Sequence, residues 1–247
     1  MRNFGLIGYP LSHSFSKKFF NQKFQAEGIE DCEYDLYPIK TIDLLGELLM
    51  DNPNLEGLNV TIPYKLEVLP FLNEIDEAAR AIGAVNCIRI TGKQKFATLK
   101  GFNTDAYGFE ESLKPLLEPW HNKAIILGDG GAAKAIKYVL NKLGMPFIIV
   151  TRSPTDSSIL YDEIDEELLS EYTVVINTTP LGMSPDVVSS PDLPYQYLTA
   201  NHLAYDLVYN PEETTFLNKA KVQDAKIKNG LEMLYLQAER SWYLWNR

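Results

Sequence analysis

Residues 123–140 read KAIILGDGGAAKAIKYVL, and this stretch decides the fold that we expect for the whole chain. The apolar run AIIL near its beginning is typical of a buried strand in a parallel sheet. Gly128, Gly130 and Ala133 then fit the G-x-G-x-x-G/A fingerprint of a dinucleotide-binding βαβ unit. Glycines let the backbone approach a pyrophosphate, and the N-terminus of the next helix supplies N–H groups and a positive dipole. The stretch therefore predicts a nucleotide-binding α/β domain.

The composition is that of a globular protein of one large or two modest domains. The chain has 247 residues, of which 45% are hydrophobic and 23% charged. Its apolar runs are too short to span a membrane, and we expect no signal peptide. Cys32 and Cys87 have neither metal nor redox spacing, so we expect no metal site and a cytoplasmic location. The net charge of −10 argues against nucleic acid and anionic membranes as partners.

Predicted strands and helices alternate along most of the chain, which indicates α/β units with parallel strands. The predicted strands cover residues 4–9, 33–37, 58–62, 84–90, 95–100, 124–127, 147–151, 174–177 and 202–206. Apart from the helix after the glycines, the predicted helices cover residues 17–27, 42–50, 64–72, 74–81, 107–117 and 230–245. Ligands of such sheets bind beyond the carboxyl ends of the strands, so the residues that follow each strand are the functional candidates.

Two serines follow the first predicted strand. Ser14 and Ser16 are two residues apart, so their hydroxyls face the same way in extended backbone. Either serine is equally typical of a helix N-cap. Lys17 and Lys18 stand in the first helical turn, where cations oppose the helix dipole, and a bound anion would compensate for them.

Three further segments carry polar candidates. Thr61 and Lys65 lie at or beyond the end of a predicted strand, although a lysine is usually a solvated surface group. Asn86 interrupts an apolar strand, so its amide either satisfies backbone groups or reaches a ligand. Asp105 ends the segment Asn-Thr-Asp before a helix, which is typical of a turn or cap as well as of a ligand contact.

Eight motifs, in unbroken order over nearly the whole chain, resemble the shikimate dehydrogenase family. They are Gly8-x-Pro10-x-x-His13-Ser14-x-Ser16, Gly57-x-Asn59-Val60-Thr61-x-Pro63-x-Lys65, Gly83-Ala84-Val85-Asn86, Gly101-x-Asn103-Thr104-Asp105, Gly128-Asp129-Gly130-Gly131-Ala132-Ala133, Asn177-Thr178-Thr179-x-x-Gly182-Met183, Tyr205-Asp206-x-x-Tyr209-x-Pro211 and Asn229-Gly230-x-x-Met233-Leu234-x-x-Gln237.

The resemblance implies two α/β domains and a redox reaction. Residues 1–102 would bind substrate, with the helix at 231–247 returning to them, and residues 103–230 would form a Rossmann-type NADP-binding domain. The reaction would be the reversible reduction of 3-dehydroshikimate to shikimate with NADPH, in the chorismate route to aromatic amino acids.

The resemblance also assigns roles to residues. Lys65 would be the catalytic acid and base, coupled to Asp105 beside it. The other substrate-binding residues would be Ser14, Ser16, Thr61, Asn86, Tyr209 and Gln237. The cofactor-binding residues would be Gly128, Gly130, Gly131, Ala132, Arg152, Thr178, Leu207 and Gly230.

The end of the strand at 147–151 bears on the choice of cofactor. NAD enzymes place an acidic residue about 20 residues beyond the fingerprint, where it bonds the ribose 2′-hydroxyl. Here the strand runs into Thr151-Arg152-Ser153 without an acid, and Arg152 can contact a 2′-phosphate and stack on adenine. We therefore expect NADP(H).

Some positions depart from the family pattern. Lys17 stands where proline is usual, Phe102 where aspartate is frequent, and Thr151 and Ser153 where asparagine and threonine flank the arginine. Asp129 replaces a small residue in the glycine turn, and its carboxylate would repel a pyrophosphate unless it points to solvent or a donor.

Two alternatives to an NADP-dependent shikimate dehydrogenase stay open at this stage. One is an enzyme of the same superfamily that takes quinate or uses NAD. The other is a nucleotide-binding homologue without catalysis. We expect a monomer or a homodimer.

Overall fold

The computed structural model describes residues 1–11, 14–93, 96–153 and 155–247. Within these ranges the chain forms two compact units, Met1–Thr104 with Gln237–Arg247, and Asp105–Leu236. His13, which belongs to the first motif, lies outside the described residues, as does Lys95 in the predicted strand 95–100.

The strands are β1 (Arg2–Gly8), β2 (Cys32–Pro38), β3 (Leu55–Val60), β4 (Glu74–Ile75), β5 (Cys87–Thr91), β6 (Thr98–Phe102), β7 (Ala124–Leu127), β8 (Phe147–Thr151), β9 (Ile159–Leu160), β10 (Val174–Asn177), β11 (Leu203–Asp206) and β12 (Lys226–Lys228). The α-helices are α1 (Phe15–Glu27), α2 (Leu45–Asp51), α3 (Tyr64–Glu67), α4 (Glu77–Ile82), α5 (Thr104–Leu113), α6 (Gly131–Lys142), α7 (Glu166–Glu171), α8 (Thr215–Lys221) and α9 (Leu231–Trp245).

The first unit has a mixed sheet with the strand order β2-β1-β3-β5-β6-β4. β1 pairs in parallel with β2 and β3, whereas β5 is antiparallel to β3 and β6. Successive side chains of a strand point to opposite faces. Phe4 accordingly packs in one core cluster, together with Trp245 of α9, and Ile7 packs in the other. A Cβ on Gly57 would lie 2.4 Å from the Trp245 indole, so this glycine is required for the close approach of α9 to the sheet.

The second unit has an all-parallel sheet with the order β12-β11-β10-β7-β8-β9. β7, β10 and β11 are buried along their whole length, which explains why they are mostly apolar; the polar Asn177 and Asp206 stand at the carboxyl ends of β10 and β11. The order reverses between β7 and β10, and the crevice at such a switch point is where α/β sheets bind ligands. No helix in the described parts of the chain has both the length and the apolar character needed to cross a membrane.

The prediction of two α/β units is confirmed, and the predicted bounds of β7, β8 and β10 agree with the structure. Gly28 ends α1 in the left-handed conformation at φ 66°, as predicted for a C-cap. β5 and β6 form the predicted antiparallel pair.

Some predicted elements are wrong. Residues 74–81 are not one helix, because Glu74 and Ile75 pair with β6, and Asp76 then caps α4 by accepting a hydrogen bond from Ala78 N at 3.2 Å. The predicted helix 64–72 is only the short α3, followed by a 3₁₀ turn that contains Pro70. The helix predicted at 107–117 begins at Thr104 instead. The strands β9 and β12 and the helices α7 and α8 were not predicted, because they are short and their apolar pattern is weak.

Candidate active site

A buried network of polar side chains lies where β3 ends and β5 begins. The Asn86 side chain accepts a hydrogen bond from Thr104 N at 2.6 Å, and its Nδ2 donates to Thr104 Oγ1 at 3.0 Å. Thr104 Oγ1 lies 3.4 Å from Gln237 Oε1, at the point where α9 joins the first unit. Asn86 is 3% and Gln237 8% exposed. Two of the predicted substrate residues are therefore brought together and oriented by one buried threonine.

Three residues without a predicted role complete this network. Asn59 Nδ2 donates to Ser241 Oγ at 3.0 Å, and Tyr34 donates its hydroxyl hydrogen to Asn59 Oδ1 at 2.8 Å. Burial raises the pKa of Tyr34 well above its ordinary value, and a hydrogen bond with Ser16 opposes part of that rise. The hydroxyl of Ser16, a predicted substrate residue, is thus linked through Tyr34 to the same network. Asn59 belongs to a quoted motif, but the distant partner Ser241 could not be inferred from the sequence.

Thr61 and Lys65 lie at the same edge of the sheet. The carbonyl of Lys65 accepts a hydrogen bond from Val85 N at 2.8 Å, and Val85 directly precedes Asn86. Val60 N donates to the carbonyl of Asn86 at 2.8 Å, immediately before Thr61. These backbone hydrogen bonds therefore hold the segment of Asn86 beside the segments that carry Thr61 and Lys65.

Ser14 is the N-cap of α1. Its Oγ accepts a hydrogen bond from Lys17 N at 3.4 Å, which leaves the hydroxyl hydrogen able to donate elsewhere. Lys17 Nζ lies 2.6 Å from Asp35 Oδ1, and this hydrogen bond lowers the pKa of Asp35. Asp35 therefore already offsets part of the positive charge in the first turn of α1, and a bound anion that would compensate for Lys17 and Lys18 stays a prediction.

A cavity of about 520 Å³ opens at the switch point of the second unit. Its walls come from the ends of β7, β8 and β10 and from the segments that follow β9 and β10. The lining residues are Gly128, Asp129, Gly130, Thr151, Arg152, Ser153, Tyr161, Thr178, Thr179, Pro180, Leu181, Ser190 and Asp192. Gly128, Gly130, Arg152 and Thr178 are predicted cofactor residues, and the cavity brings them together.

The glycine turn has the backbone that the fingerprint requires. Gly128 adopts φ 92°, and a Cβ there would lie 2.8 Å from Thr179 Cγ2. Thr178 Oγ1 is within hydrogen-bond distance of the carbonyls of Leu127 (2.8 Å) and Gly128 (3.2 Å), so its hydroxyl braces the turn. Gly130 precedes α6 in extended backbone, and a Cβ there would meet no atom of the described residues within 4 Å. The first turn of α6, which includes the exposed Gly131 and Ala132, is therefore open to a ligand.

The end of β8 presents an arginine to the cavity. Thr151 Oγ1 donates to the carbonyl of Ser153 at 2.6 Å and shapes the turn that carries the exposed Arg152. Burial raises the pKa of Tyr161 on the same wall, and the positive charge of Arg152 opposes that rise. No sequence pattern singled out Tyr161, Ser190 or Asp192, because their segments have no periodicity.

The remaining predicted residues lie elsewhere in the second unit. A Cβ on Gly230 would lie 2.1 Å from the carbonyl oxygen of Leu207, so these two predicted cofactor residues are in close backbone contact. Gly230 N also donates to the carbonyl of Val208 at 3.1 Å. Tyr209 follows β11 and is 38% exposed. Asp105 stands in the first turn of α5, where an acidic side chain suits the helix dipole.

A fully buried carboxylate organises the loops after β10 and β11. Asp206 accepts hydrogen bonds from Thr214 Oγ1 (2.6 Å), Asn177 Nδ2 (2.9 Å) and Val208 N (3.0 Å). Asn177 Oδ1 in turn accepts a hydrogen bond from Thr179 N at 3.0 Å. Burial raises the pKa of Asp206 to about 6, although these hydrogen bonds favour its charged form. Asp206 therefore holds two segments in place: the one after β10, which lines the cavity, and the one after β11, which leads to Tyr209.

We expect Asp206 to make stability depend on pH. Between its ordinary pKa of 3.8 and about 6, the folded chain retains a proton that the unfolded chain releases. Its contribution to stability is therefore fully present below pH 3.8 and is lost as the pH rises through about 6. Asp206→Asn stays uncharged, so its free energy of unfolding, relative to the unmodified protein, should rise by about 3 kcal/mol over this range.

Thermal and urea unfolding at a series of pH values measure this difference. Asp156→Asn is the matched control, since Asp156 is exposed. The prediction is contradicted if the difference in unfolding free energy between Asp206→Asn and the unmodified protein does not change with pH.

In the described ranges, no group of three or more His, Cys, Asp or Glu side chains could hold a metal ion.

Comparison with known proteins identifies a family that this chain resembles. A family model described as the shikimate dehydrogenase substrate binding domain matches residues 6–88. A curated relative from Desulforamulus reducens, named shikimate dehydrogenase (NADP(+)), is 38% identical over 98% of this chain and 88% of its own length.

Two solved structures extend the comparison. The shikimate 5-dehydrogenase of Thermus thermophilus, in complex with NADP(H) and shikimate, is 31% identical with a TM-score of 0.84 over 99% of this chain and 93% of that one. The quinate dehydrogenase of Corynebacterium glutamicum, in complex with NAD, is 25% identical with a TM-score of 0.86 over 99% of this chain and 93% of that one. The chain therefore belongs to the shikimate dehydrogenase family.

Proposed function

We propose that this protein catalyses the reversible, NADPH-dependent reduction of 3-dehydroshikimate to shikimate. The observation that carries the proposal is the cavity of the second unit, where the glycine turn, Arg152 and Thr178 line one space. The near full-length similarity to a relative named for this activity supports it. The reaction would serve aromatic amino-acid biosynthesis in the cytoplasm, where the free thiols of Cys32 and Cys87 would remain reduced.

We assign substrate binding to residues 1–102 with the helix at 231–247, and cofactor binding to residues 103–230. Shikimate carries a carboxylate and ring hydroxyls, which need several donors and acceptors in fixed positions. The buried network around Thr104 holds Asn86 and Gln237 in one orientation each. Ser14, Ser16, Thr61 and Tyr209 would complete the binding site, and the Ser14 hydroxyl can donate to a carboxylate while it caps α1.

Lys65 would transfer the proton. Reduction of a ketone leaves an alkoxide, which needs a donor within hydrogen-bond distance of that oxygen. An ammonium group supplies this proton, and in the oxidation direction the neutral amine takes it back. Asp105 would act with Lys65 as a coupled acid–base pair.

The cofactor site fits NADP(H) by its shape and by its donors. Gly128 and Gly130 leave the space that side chains would fill, and the start of α6 offers backbone N–H groups to a pyrophosphate. Gly131, Ala132 and Thr178 would surround the phosphates, whereas Leu207 and Gly230 would lie toward the nicotinamide. The nicotinamide, when bound, would supply the hydride.

Replacing Arg152 should change the preference for the cofactor. We expect Arg152→Ala to raise the KM for NADP+ by about 10-fold or more and to leave the KM for NAD+ nearly unchanged, because only NADP+ carries the 2′-phosphate. Steady-state kinetics with both cofactors measure this, with Arg80→Ala on α4 as the control. If Arg152→Ala has the same ratio of kcat/KM for NADP+ over NAD+ as the unmodified protein, Arg152 does not determine the choice of cofactor.

The proposed function is tested by the near-ultraviolet absorbance of NADPH when purified protein is mixed with shikimate and NADP+. Parallel reactions with quinate and with NAD+ identify the alternative, for which the similarity to the quinate dehydrogenase is the supporting observation. Binding of NADPH without turnover of either acid would identify a non-catalytic homologue.

A further inference from the structure

The glycine turn assigned to the cofactor carries a negative charge. Asp129 stands between Gly128 and Gly130 and lines the cavity with them. Lys137, on the second turn of α6, places its Nζ 2.6 Å from Asp129 Oδ1. The Asp129 side chain is 36% and the Lys137 side chain 28% exposed, so both charges are partly hydrated.

A carboxylate in this turn acts against an anionic ligand. The N-terminus of α6 favours negative charge, so the Asp129 carboxylate and a pyrophosphate would be attracted to the same N–H groups. In a partly hydrated site, the mutual repulsion of two such neighbouring anions is large enough to change affinity several-fold. Lys137 reduces this repulsion in two ways, by its own charge and by holding the carboxylate beside α6.

We propose that Asp129 lowers the affinity of the site for dinucleotides and that Lys137 limits this loss by positioning the carboxylate. The proposal rests on the proposed function of the cavity and goes beyond it, because it makes the Asp129–Lys137 pair a determinant of cofactor affinity. The substrate-binding residues do not enter into it.

The structure predicts opposite signs for the two single substitutions. Asp129→Asn removes the repulsion and should tighten NADPH binding by about 3- to 10-fold at low salt. Lys137→Met should weaken binding by a similar factor, since the carboxylate is no longer held. Lys137 acts partly through the position of Asp129. Asp129→Asn should therefore tighten NADPH binding by a larger factor in the Lys137→Met protein than in the unmodified protein.

The test measures the Kd of NADPH by calorimetry for the four proteins of this double-mutant cycle, at low and high salt. The adenosine ligand 2′-AMP lacks the pyrophosphate, so its Kd should be unchanged throughout the cycle. Asp224→Asn is the matched control, because it changes the net charge equally and lies before β12, at the opposite edge of the sheet. Asparagine also tolerates the φ of 62° found at Asp224.

The proposal is supported if Asp129→Asn binds NADPH more tightly without binding 2′-AMP more tightly, and if this gain in affinity is smaller at high salt. It is overturned if Asp129→Asn leaves the Kd of NADPH unchanged or raises it, or if 2′-AMP responds equally. Failure of the unmodified protein to bind either ligand overturns the proposed function itself, which distinguishes the two failures.

Discussion

Replacing Lys65 with methionine is expected to lower kcat for shikimate oxidation by at least ~10²-fold, with a much smaller change in KM. Methionine keeps most of the length of the side chain but can neither hold nor release the proton. The backbone of Lys65 is fixed by the hydrogen bond from Val85, so the substitution should leave the fold intact. Steady-state kinetics with saturating NADP+ separate kcat from KM.

The control for this experiment is Lys93→Met. β5 is antiparallel to β3, so Lys93, which follows β5, lies at the opposite edge of the sheet from Lys65. Its replacement should leave kcat unchanged. Near-normal turnover in Lys65→Met would remove this lysine from the mechanism.

Gly230→Ala is expected to damage both stability and activity. The new Cβ would lie 2.1 Å from the carbonyl oxygen of Leu207, so the backbone itself must move. Overpacking of this kind costs about 3 kcal/mol of unfolding free energy, and displacement of Leu207 should lower kcat/KM for NADP+ by about 10-fold or more. Thermal unfolding measures the first effect, and kinetics in the cold, where the variant stays folded, measure the second.

Gly46→Ala is the matched control, since Gly46 lies in the exposed face of α2 and its Cβ would meet no described atom within 4 Å. This variant should gain up to about 1 kcal/mol of stability, because alanine is the better helix former. The prediction is contradicted if the Gly46 and Gly230 variants have the same stability and the same kcat/KM for NADP+.

The sheet of the second unit was predictable because its central strands are continuous apolar runs with turn residues at their ends. β7 and β10 agree with their predicted bounds for that reason. Residues 74–81 show the opposite case. Their local sequence favours a helix, but pairing of Glu74 and Ile75 with β6 is a distant interaction that overrides local preference.

The candidate site was predictable to the extent that its residues belong to motifs. The glycine turn and Arg152 lie on one cavity, as their positions after β7 and β8 indicate. The partners that orient the site were not predictable. Ser241 reaches Asn59 across 182 positions of sequence, and Asp206 is bound by residues from two other segments. Such hydrogen bonds exist only after the chain has folded.

The discontinuous first unit has a consequence for synthesis on the ribosome. Trp245 stacks on Phe4 with ring centroids 4.9 Å apart, and residues 237–247 emerge only after Asp105–Leu236 have been translated. The aromatic core around Phe4 therefore stays incomplete while the whole second unit is made. Nascent chains should acquire a protease-resistant second unit before the first, in reverse of the usual order from the amino terminus.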